Sequence, residues 1–136
     1  MNMSIYRAKK INNDKYVEGY LINGRFIFKE WIDDVWTSFG ETKSNKALVY
    51  EIDPTTLAIN FPDIIDSQGN KIFASLNKDG KGGDIMKDDE YYGIAKYADS
   101  RFVVEYENVE ECLCEGNFEV VGIQEWKQKQ SYIIYY

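Results

Sequence analysis

The chain has 136 residues, of which 44% are hydrophobic, 15% aromatic and 29% charged, and its formal net charge is −7. This length and apolar content predict one globular domain and exclude an intrinsically disordered segment. The acidic balance disfavours binding to nucleic-acid phosphates. The absence of histidine excludes Ser-His and Cys-His nucleophile pairs and the imidazole ligands of most catalytic zinc sites.

The first third of the chain is predicted to form short strands. Residues 16–22 lead through Asn23-Gly24 into Arg25 to Phe28. An Asn-Gly pair between aromatic and β-branched runs is typical of a β-hairpin, because both turn residues take positive φ. The stretch Trp31 to Trp36 is interpreted as a further turn, with Trp36 to Phe39 opening the next strand.

The middle of the chain is predicted to alternate loops with short strands. Glu41 to Lys46 is expected to be a loop, and Ala47 to Ile52 a strand that Asp53-Pro54 ends. The next elements are a turn at Asp66 to Asn70, a short strand at Lys71 to Phe73, and an exposed, mobile Gly-rich loop at 77–83.

The last part of the chain predicts a second hairpin, from Tyr92 to Tyr97 and Arg101 to Tyr106. A short helix is expected at Asn108 to Glu115, since Asn108 suits a helix cap, and a strand at Phe118 to Ile123. Strands at this spacing, without long amphipathic helices between them, predict an all-β fold with at most short helices, as a small barrel or sandwich.

Sites for catalysis, cofactors or metals are not predicted. The loop at 77–84 lacks the Ser or Thr of a phosphate loop after Lys81, and Lys81 also stands at the fifth position of an EF-hand loop begun at Asn77. Cys112 and Cys114 supply only two ligands and are interpreted as structural or incidental. Acidic groups such as Asp33-Asp34 are interpreted as solvated.

Aromatic residues are concentrated before position 40. They favour core packing of a small barrel, and the alternatives are a platform that stacks bases or a groove that binds a peptide. The candidates for interaction are Trp31 and Trp36 together with Tyr132, Ile133, Ile134, Tyr135 and Tyr136. This Tyr/Ile segment is expected to be buried, either in the protein's own sheet or against a neighbouring copy.

Several stretches in order resemble the YopX family of phage and prophage proteins. They are Ile5 to Lys10, Tyr16 to Ile22, Glu51 to Leu57, Asp66 to Phe73, Gly83 to Met86 and Phe118 to Gly122. The resemblance implies a β-rich fold with an SH3-like barrel in the C-terminal part, and it implies no catalytic residues. The chain departs from the family by inserting Ala74 to Gly82 and by ending in the Tyr/Ile segment.

Together these features predict a single domain over 1–136, with a subdivision into 1–60 and 61–136 as an alternative. We expect a non-enzymatic phage or prophage accessory protein of the bacterial cytoplasm that binds a host or phage protein or associates with itself. No stretch has the roughly 18 to 20 consecutive apolar residues of a membrane span. The alternatives are a single-stranded nucleic-acid binder and an acidic mimic of DNA that occupies a host enzyme.

Overall fold

Strands dominate the chain, and the prediction of an all-β fold is confirmed. The computed structural model describes residues 4–36, 43–88, 91–98, 100–106, 109–112 and 118–125. Within these ranges the side chains at 32–36, 43–45, 91, 106 and 109–112 lie outside the description.

The strands are β1 (Ile5–Lys9), β2 (Tyr16–Ile22), β3 (Phe26–Trp36), β4 (Lys43–Glu51), β5 (Ala58–Asn60), β6 (Ala74–Ser75), β7 (Asp84–Asp88), β8 (Tyr91–Ala98), β9 (Arg101–Tyr106), β10 (Val109–Cys112) and β11 (Glu119–Ile123). Neighbouring strands follow the order β10-β9-β8-β6-β5-β1-β2-β3-β4, and β7 joins β8 to β11. The β6–β8 pair is parallel and the others are antiparallel. This path does not close among the described residues, so the SH3-like barrel stays a prediction.

Both predicted hairpins are confirmed. In the first, β2 pairs with β3 and the turn residues Asn23 and Gly24 have φ of 53° and 69°. In the second, β8 pairs with β9 up to Ala98 opposite Arg101. The turn chemistry of Asn-Gly therefore decides the local structure where the flanking residues also favour strands.

The predicted turn at Trp31 to Trp36 is wrong, because β3 runs through it. Between Ile32 and Val35 the register with β4 shifts, so that Asp33 and Asp34 lie opposite Asn45 as a β-bulge. The predicted loop at Glu41 to Lys46 is wrong from Lys43 onward, where β4 begins. A bulge absorbs polar residues that would otherwise indicate a turn, because it adds a residue to one strand without ending the ladder.

Two further predictions are corrected by strand pairing. Residues 109–112 of the predicted helix form β10, which pairs with β9 from Val109 opposite Tyr106 to Cys112 opposite Val103. The short strand expected at Lys71 to Phe73 begins later, at Ala74, and Lys71 makes only an isolated bridge to Ile65. Pairing with a neighbouring strand satisfies backbone groups that a weak helix cap cannot.

The buried apolar residues form two clusters that are linked at β1. One consists of Ile59, Ile72, Ala74, Met86, Ala95, Phe102, Val104 and Phe118, and the other of Ala8, Val17, Ile27 and Ile52. Tyr6 in β1 packs against both clusters. Since β1 also pairs with both β2 and β5, it connects strands β2–β4 with strands β5–β11.

The Gly-rich loop at 77–83 is not the exposed loop that its composition predicts. Gly80, Gly82 and Gly83 are buried, and the loop is hydrogen-bonded to four other parts of the chain. Its contacts are Asn77 Nδ2 to Thr55 O at 2.9 Å, Lys96 Nζ to Lys78 O at 2.7 Å, Ser75 Oγ to Lys81 O at 2.9 Å, and Gly82 N to Gln124 O at 2.7 Å. Glycine here allows close packing rather than solvent exposure.

The predicted turn at Asp66 to Asn70 is confirmed, and the buried Asp66 carboxylate organises it. Asp66 Oδ1 accepts hydrogen bonds from the backbone N–H groups of Gln68 and Asn70, at 2.9 and 2.7 Å. Asp66 Oδ2 accepts from the N–H of Val120 at 3.0 Å, which ties the turn to β11. Burial alone would raise the pKa of Asp66, but these donors lower it below its ordinary value of 3.8.

We expect Asp66→Asn to lower the free energy of unfolding at pH 7 by about 1–3 kcal/mol, since a neutral amide is a weaker acceptor. The lowered pKa means that the carboxylate stabilises the fold above pH 3.8 and loses this effect as the pH falls through the folded-state pKa. The difference between the two proteins in urea denaturation should therefore narrow near pH 3. Asp63→Asn, at an exposed neighbour, is the control. An equal deficit at both pH values would contradict the assignment.

Candidate interaction face

The outer side of strands β2, β3 and β4 carries a contiguous group of apolar side chains. We call this group the apolar face, and it consists of Tyr20, Ile22, Phe28, Trp31 and Val49. Tyr20 lies opposite Phe28, and Phe28 lies opposite Val49, so the three side chains form a row across the strands. Trp31 is 62% exposed and Tyr20, Ile22 and Val49 are 41–44% exposed.

A β-bulge places Trp31 on this side of the sheet. The register of β3 with β4 shifts between Phe28 and Glu30, so that Trp31 lies opposite Ala47. Val49 and Ala47 are two residues apart and share a face, which puts Trp31 on the side of Phe28. The two rings meet edge to face with their centroids 5.4 Å apart. An edge-to-face pair of aromatic rings contributes about 0.5–1.5 kcal/mol in addition to the effect of the area that the rings bury.

The inner side of the same strands faces the smaller core. Leu21 lies opposite Ile27, and Ile27 is fully buried. Gly19 also faces this side, and a Cβ built there would lie 2.1 Å from the Phe28 carbonyl oxygen and 3.0 Å from Ile27. With the inner side filled by this core, the apolar face is the opposite, outer side of β2–β4.

Two ion pairs lie beside the apolar face. Arg25 Nη2 lies 2.7 Å from Glu51 Oε2, and Lys71 Nζ lies 3.5 Å from Glu18 Oε1. Exposed ion pairs of this kind contribute little to stability, and each consists of one positive and one negative charge. These two pairs therefore add no net positive charge beside the face, and an excess of positive charge is what binding to phosphate backbones requires.

A second candidate is a cleft of about 550 Å3 beside a buried ion pair. Arg7 Nη2 lies 2.8 Å from Asp84 Oδ1 and donates to the Gly82 carbonyl at 2.8 Å, while Asp84 Oδ2 accepts the Phe73 N–H at 2.8 Å. The guanidinium carbon lies 4.6 Å from the centre of the Phe73 ring. Burial raises the pKa of Asp84 above its ordinary value, and Arg7 opposes that rise.

The charged side chains at this cleft form two ion pairs. Arg7 forms an ion pair with Asp84, and Lys71, which also lines the cleft, forms one with Glu18. Two carboxyl groups, Glu18 and Asp84, line the cleft, and burial raises the pKa of Asp84.

The residues that the sequence analysis singled out lie partly in the apolar face and partly outside the described residues. Trp31 lies in the apolar face, and the expectation that Tyr20 and Trp31 pack in a core is wrong. Trp36 ends β3, with its side chain outside the described residues, and Tyr132 to Tyr136 lie outside them altogether. Arg7 was not a sequence candidate. Asp84 accepts a hydrogen bond from the backbone N–H of Phe73.

Neither cysteine side chain belongs to the described part of the chain. Cys112 is the last residue of β10, with its side chain outside the described residues, as is all of Cys114. In the described ranges, no three acidic or cysteine side chains come together as a metal site. No helix in the part of the chain that the structure describes is long and apolar enough to cross a membrane.

Comparison with known proteins adds no relative. No family model, curated protein or solved structure matches this chain. The resemblance to the YopX family therefore stays a prediction, and the apolar face is the feature on which a functional proposal must rest.

Proposed function

We propose that this protein is a non-enzymatic interaction module that binds a protein partner on the apolar face. The observation that carries the proposal is the cluster of Tyr20, Ile22, Phe28, Trp31 and Val49 on adjacent strands, with Trp31 62% exposed. Exposed apolar patches of several hundred Å2 mark interaction sites in soluble proteins. Tyr and Trp are also enriched at the centres of protein interfaces.

The partner that suits this surface is an apolar segment of another protein. The row of Tyr20, Phe28 and Val49 offers a flat apolar bed, and the paired charges at its edge resemble the polar rim of an interface. The YopX resemblance supplies a setting for the proposal, a phage or prophage accessory protein in the bacterial cytoplasm.

The two alternative functions fit this surface less well. A single-stranded nucleic acid could stack on Trp31, but such binders combine stacking aromatics with a positively charged groove, and the net charge here is −7. A mimic of DNA needs carboxylates spread along one exposed face. Asp53, Asp66 and Asp84 instead accept hydrogen bonds from their own chain.

The proposal predicts that Tyr20→Ser with Trp31→Ser removes partner binding. Both are large, exposed aromatic side chains of the face, and loss of one interface hot spot costs about 2 kcal/mol or more, about a 30-fold loss of affinity. The partner would first be captured from host cells with the unchanged protein. Its affinity for the double variant would then be measured by calorimetry.

Tyr92→Ser is the matched control, because Tyr92 in β8 is an aromatic side chain of similar exposure, 60%, that lies outside the apolar face. The control should bind as the unchanged protein does. Equal affinity of the double variant and the control would contradict the proposal. A titration of labelled oligothymidine at low salt serves as a second measurement, since binding that the double variant loses would favour the nucleic-acid alternative.

A further inference from the structure

The cleft beside the Arg7–Asp84 ion pair contains two buried polar atoms, Arg7 Nε and Asp84 Oδ1, that make no hydrogen bond with the described residues. The contact of 2.8 Å between Asp84 Oδ1 and Arg7 Nη2 is a charge attraction that lacks hydrogen-bond geometry. Both residues line the cleft, and they are 7% and 1% exposed. Buried polar groups normally have a partner in the protein, in ordered water or in a ligand, because an unpartnered group costs free energy. One donor and one acceptor therefore lie side by side in this cleft and lack partners from the described chain.

The more exposed part of the cleft carries the second, weaker ion pair. Lys71 Nζ lies 3.5 Å from Glu18 Oε1, and the two side chains are 59% and 47% exposed. An exposed pair of this kind contributes little to stability, so its members can take charged groups of a ligand as partners at small cost. Arg7 lies opposite Glu18 in the β1–β2 ladder, and side chains in this position are on the same side of the sheet with Cβ atoms about 5 Å apart. The two ion pairs are therefore neighbours in one cleft.

These four charged side chains define the chemistry of a complementary ligand. Two are positive and two are negative, so a ligand without net charge matches them. The inner pair requires a group that accepts a hydrogen bond from Arg7 Nε and donates one to Asp84 Oδ1, as a primary amide does. The outer pair requires a carboxylate for Lys71 and an ammonium group for Glu18. A small zwitterion with a terminal amide meets both requirements.

The size and the walls of the cleft suit the aliphatic part of such a zwitterion. In glutamine, two methylene groups separate the amide from the α-carbon, which spans roughly the 5 Å between neighbouring strands. Phe73, Val120 and Ile123 also line the cleft and offer apolar contacts to methylene groups. The volume of about 550 Å3 lies within the range of roughly 300–1,000 Å3 that is typical of small-molecule sites.

We propose that the cleft binds a free amino acid with an amide side chain, and glutamine in particular. Arg7 and Asp84 hold its amide, while Lys71 and Glu18 hold its carboxylate and its ammonium group. This inference goes beyond the proposed function, because it assigns a small-molecule site in the cleft and does not depend on the apolar face. Since the ligand binds the folded chain, its presence also raises the unfolding midpoint.

Calorimetric titration of the unchanged protein with related compounds tests this chemistry. We expect L-glutamine to bind about tenfold or more tightly than L-glutamate, whose second carboxylate has no proton to donate to Asp84. Butyramide, which has the amide but neither charged group, should be weaker by a similar factor. If L-glutamine did not bind at up to about 10 mM, the inference would be overturned, and water would be the partner of the two buried atoms. Equal affinities for L-glutamine and L-glutamate would also overturn it.

Two substitutions at exposed positions test the outer ion pair. Glu18→Gln and Lys71→Gln should each weaken L-glutamine binding about tenfold. The unfolding midpoint without ligand should stay nearly the same, because the pair is exposed. Glu51→Gln is the matched control, since Glu51 forms a similar exposed pair with Arg25 and does not line the cleft. Equal affinities of the control and the two cleft variants would contradict the inference.

The position of the ligand follows from the amide signals of the isotope-labelled protein in nuclear magnetic resonance spectra. L-Glutamine should shift the N–H signals of Gly69 and Gly122, which line the cleft, and leave that of Gly24 in the first hairpin unchanged. The double variant Tyr20→Ser with Trp31→Ser should bind L-glutamine as the unchanged protein does, whether or not it loses the protein partner. If it lost L-glutamine instead, the ligand would lie on the apolar face and the cleft would be the wrong site.

Discussion

Replacing Arg7 with alanine is expected to lower the free energy of unfolding by about 3–5 kcal/mol, because Asp84 would stay buried without its opposite charge. Asp84 is 1% exposed, and the N–H of Phe73 would be its remaining hydrogen-bond donor among the described residues. The same substitution releases the Gly82 carbonyl and the contact with the Phe73 ring. Urea denaturation at pH 7, followed by circular dichroism, measures the loss.

The pH dependence of this variant identifies the cause of its instability. Burial raises the pKa of Asp84 above 3.8, and loss of Arg7 removes the main charge that opposes the rise. A raised folded-state pKa means that protonation favours the fold, so the deficit should shrink as the pH falls from 7 towards 3.8.

Arg7→Met with Asp84→Asn is the control for this prediction. It removes both charges together and should be more stable than Arg7→Ala, because no unpaired ion is left in the interior. If Arg7→Ala were instead as stable as the unchanged protein, the carboxyl group would not depend on Arg7 for its burial.

The elements that local chemistry determines could be predicted from the sequence. The Asn23-Gly24 hairpin needs two residues with positive φ, and only a few residue types accept that conformation cheaply. The Asp66 turn likewise depends on a carboxylate that bonds N–H groups two and four positions later. Such features involve neighbours in the chain, which a sequence pattern contains.

The features that depend on distant strands could not be predicted in the same way. Asp33 and Asp34 indicate a turn locally, but pairing with β4 turns them into a bulge. Residues 109–112 become a strand because β9 is beside them. Arg7 shows no local signal, since its partners Gly82 and Asp84 come from a strand and loop far along the chain.

The apolar face could be predicted from the sequence only in part. Its residues were visible as an aromatic concentration, and Trp31 was among the candidates, but β2 is apolar on both sides at Tyr20, Leu21 and Ile22. A strand of this kind does not reveal which side is the core, because alternation is the signal that normally decides it. The core side was decided by Gly19 and by the packing of Val17 with Ile27.

Gly82→Ala is the second variant for which we expect a large effect, a loss of about 3 kcal/mol or more in the free energy of unfolding. Gly82 has a φ of 86°, which costs an L-residue about 1–2 kcal/mol. A Cβ at this position would also lie 1.9 Å from the carbonyl oxygen of Thr56 and 2.5 Å from its carbonyl carbon. Backbone in the turn after β4 would have to move, and overpacking of this kind costs about 1–3 kcal/mol more.

Gly69→Ala separates the conformational cost from the clash. Gly69 has a similar φ of 84°, but a Cβ there meets nothing within 4 Å. This control should therefore lose only the cost of the left-handed conformation, about 1–2 kcal/mol. Equal losses for the two variants would show that the Thr56 backbone moves aside without cost.

The double variant of Arg7→Ala with Gly82→Ala should lose less stability than the sum of the single variants. Arg7 donates to the Gly82 carbonyl, so either change alone disturbs the same connection between β1 and the 77–83 loop. Residues that share a contact show interaction energies of about 0.5–3 kcal/mol, whereas distant ones add. Strict additivity would mean that the Arg7 hydrogen bond to Gly82 contributes nothing to the cost of losing Arg7.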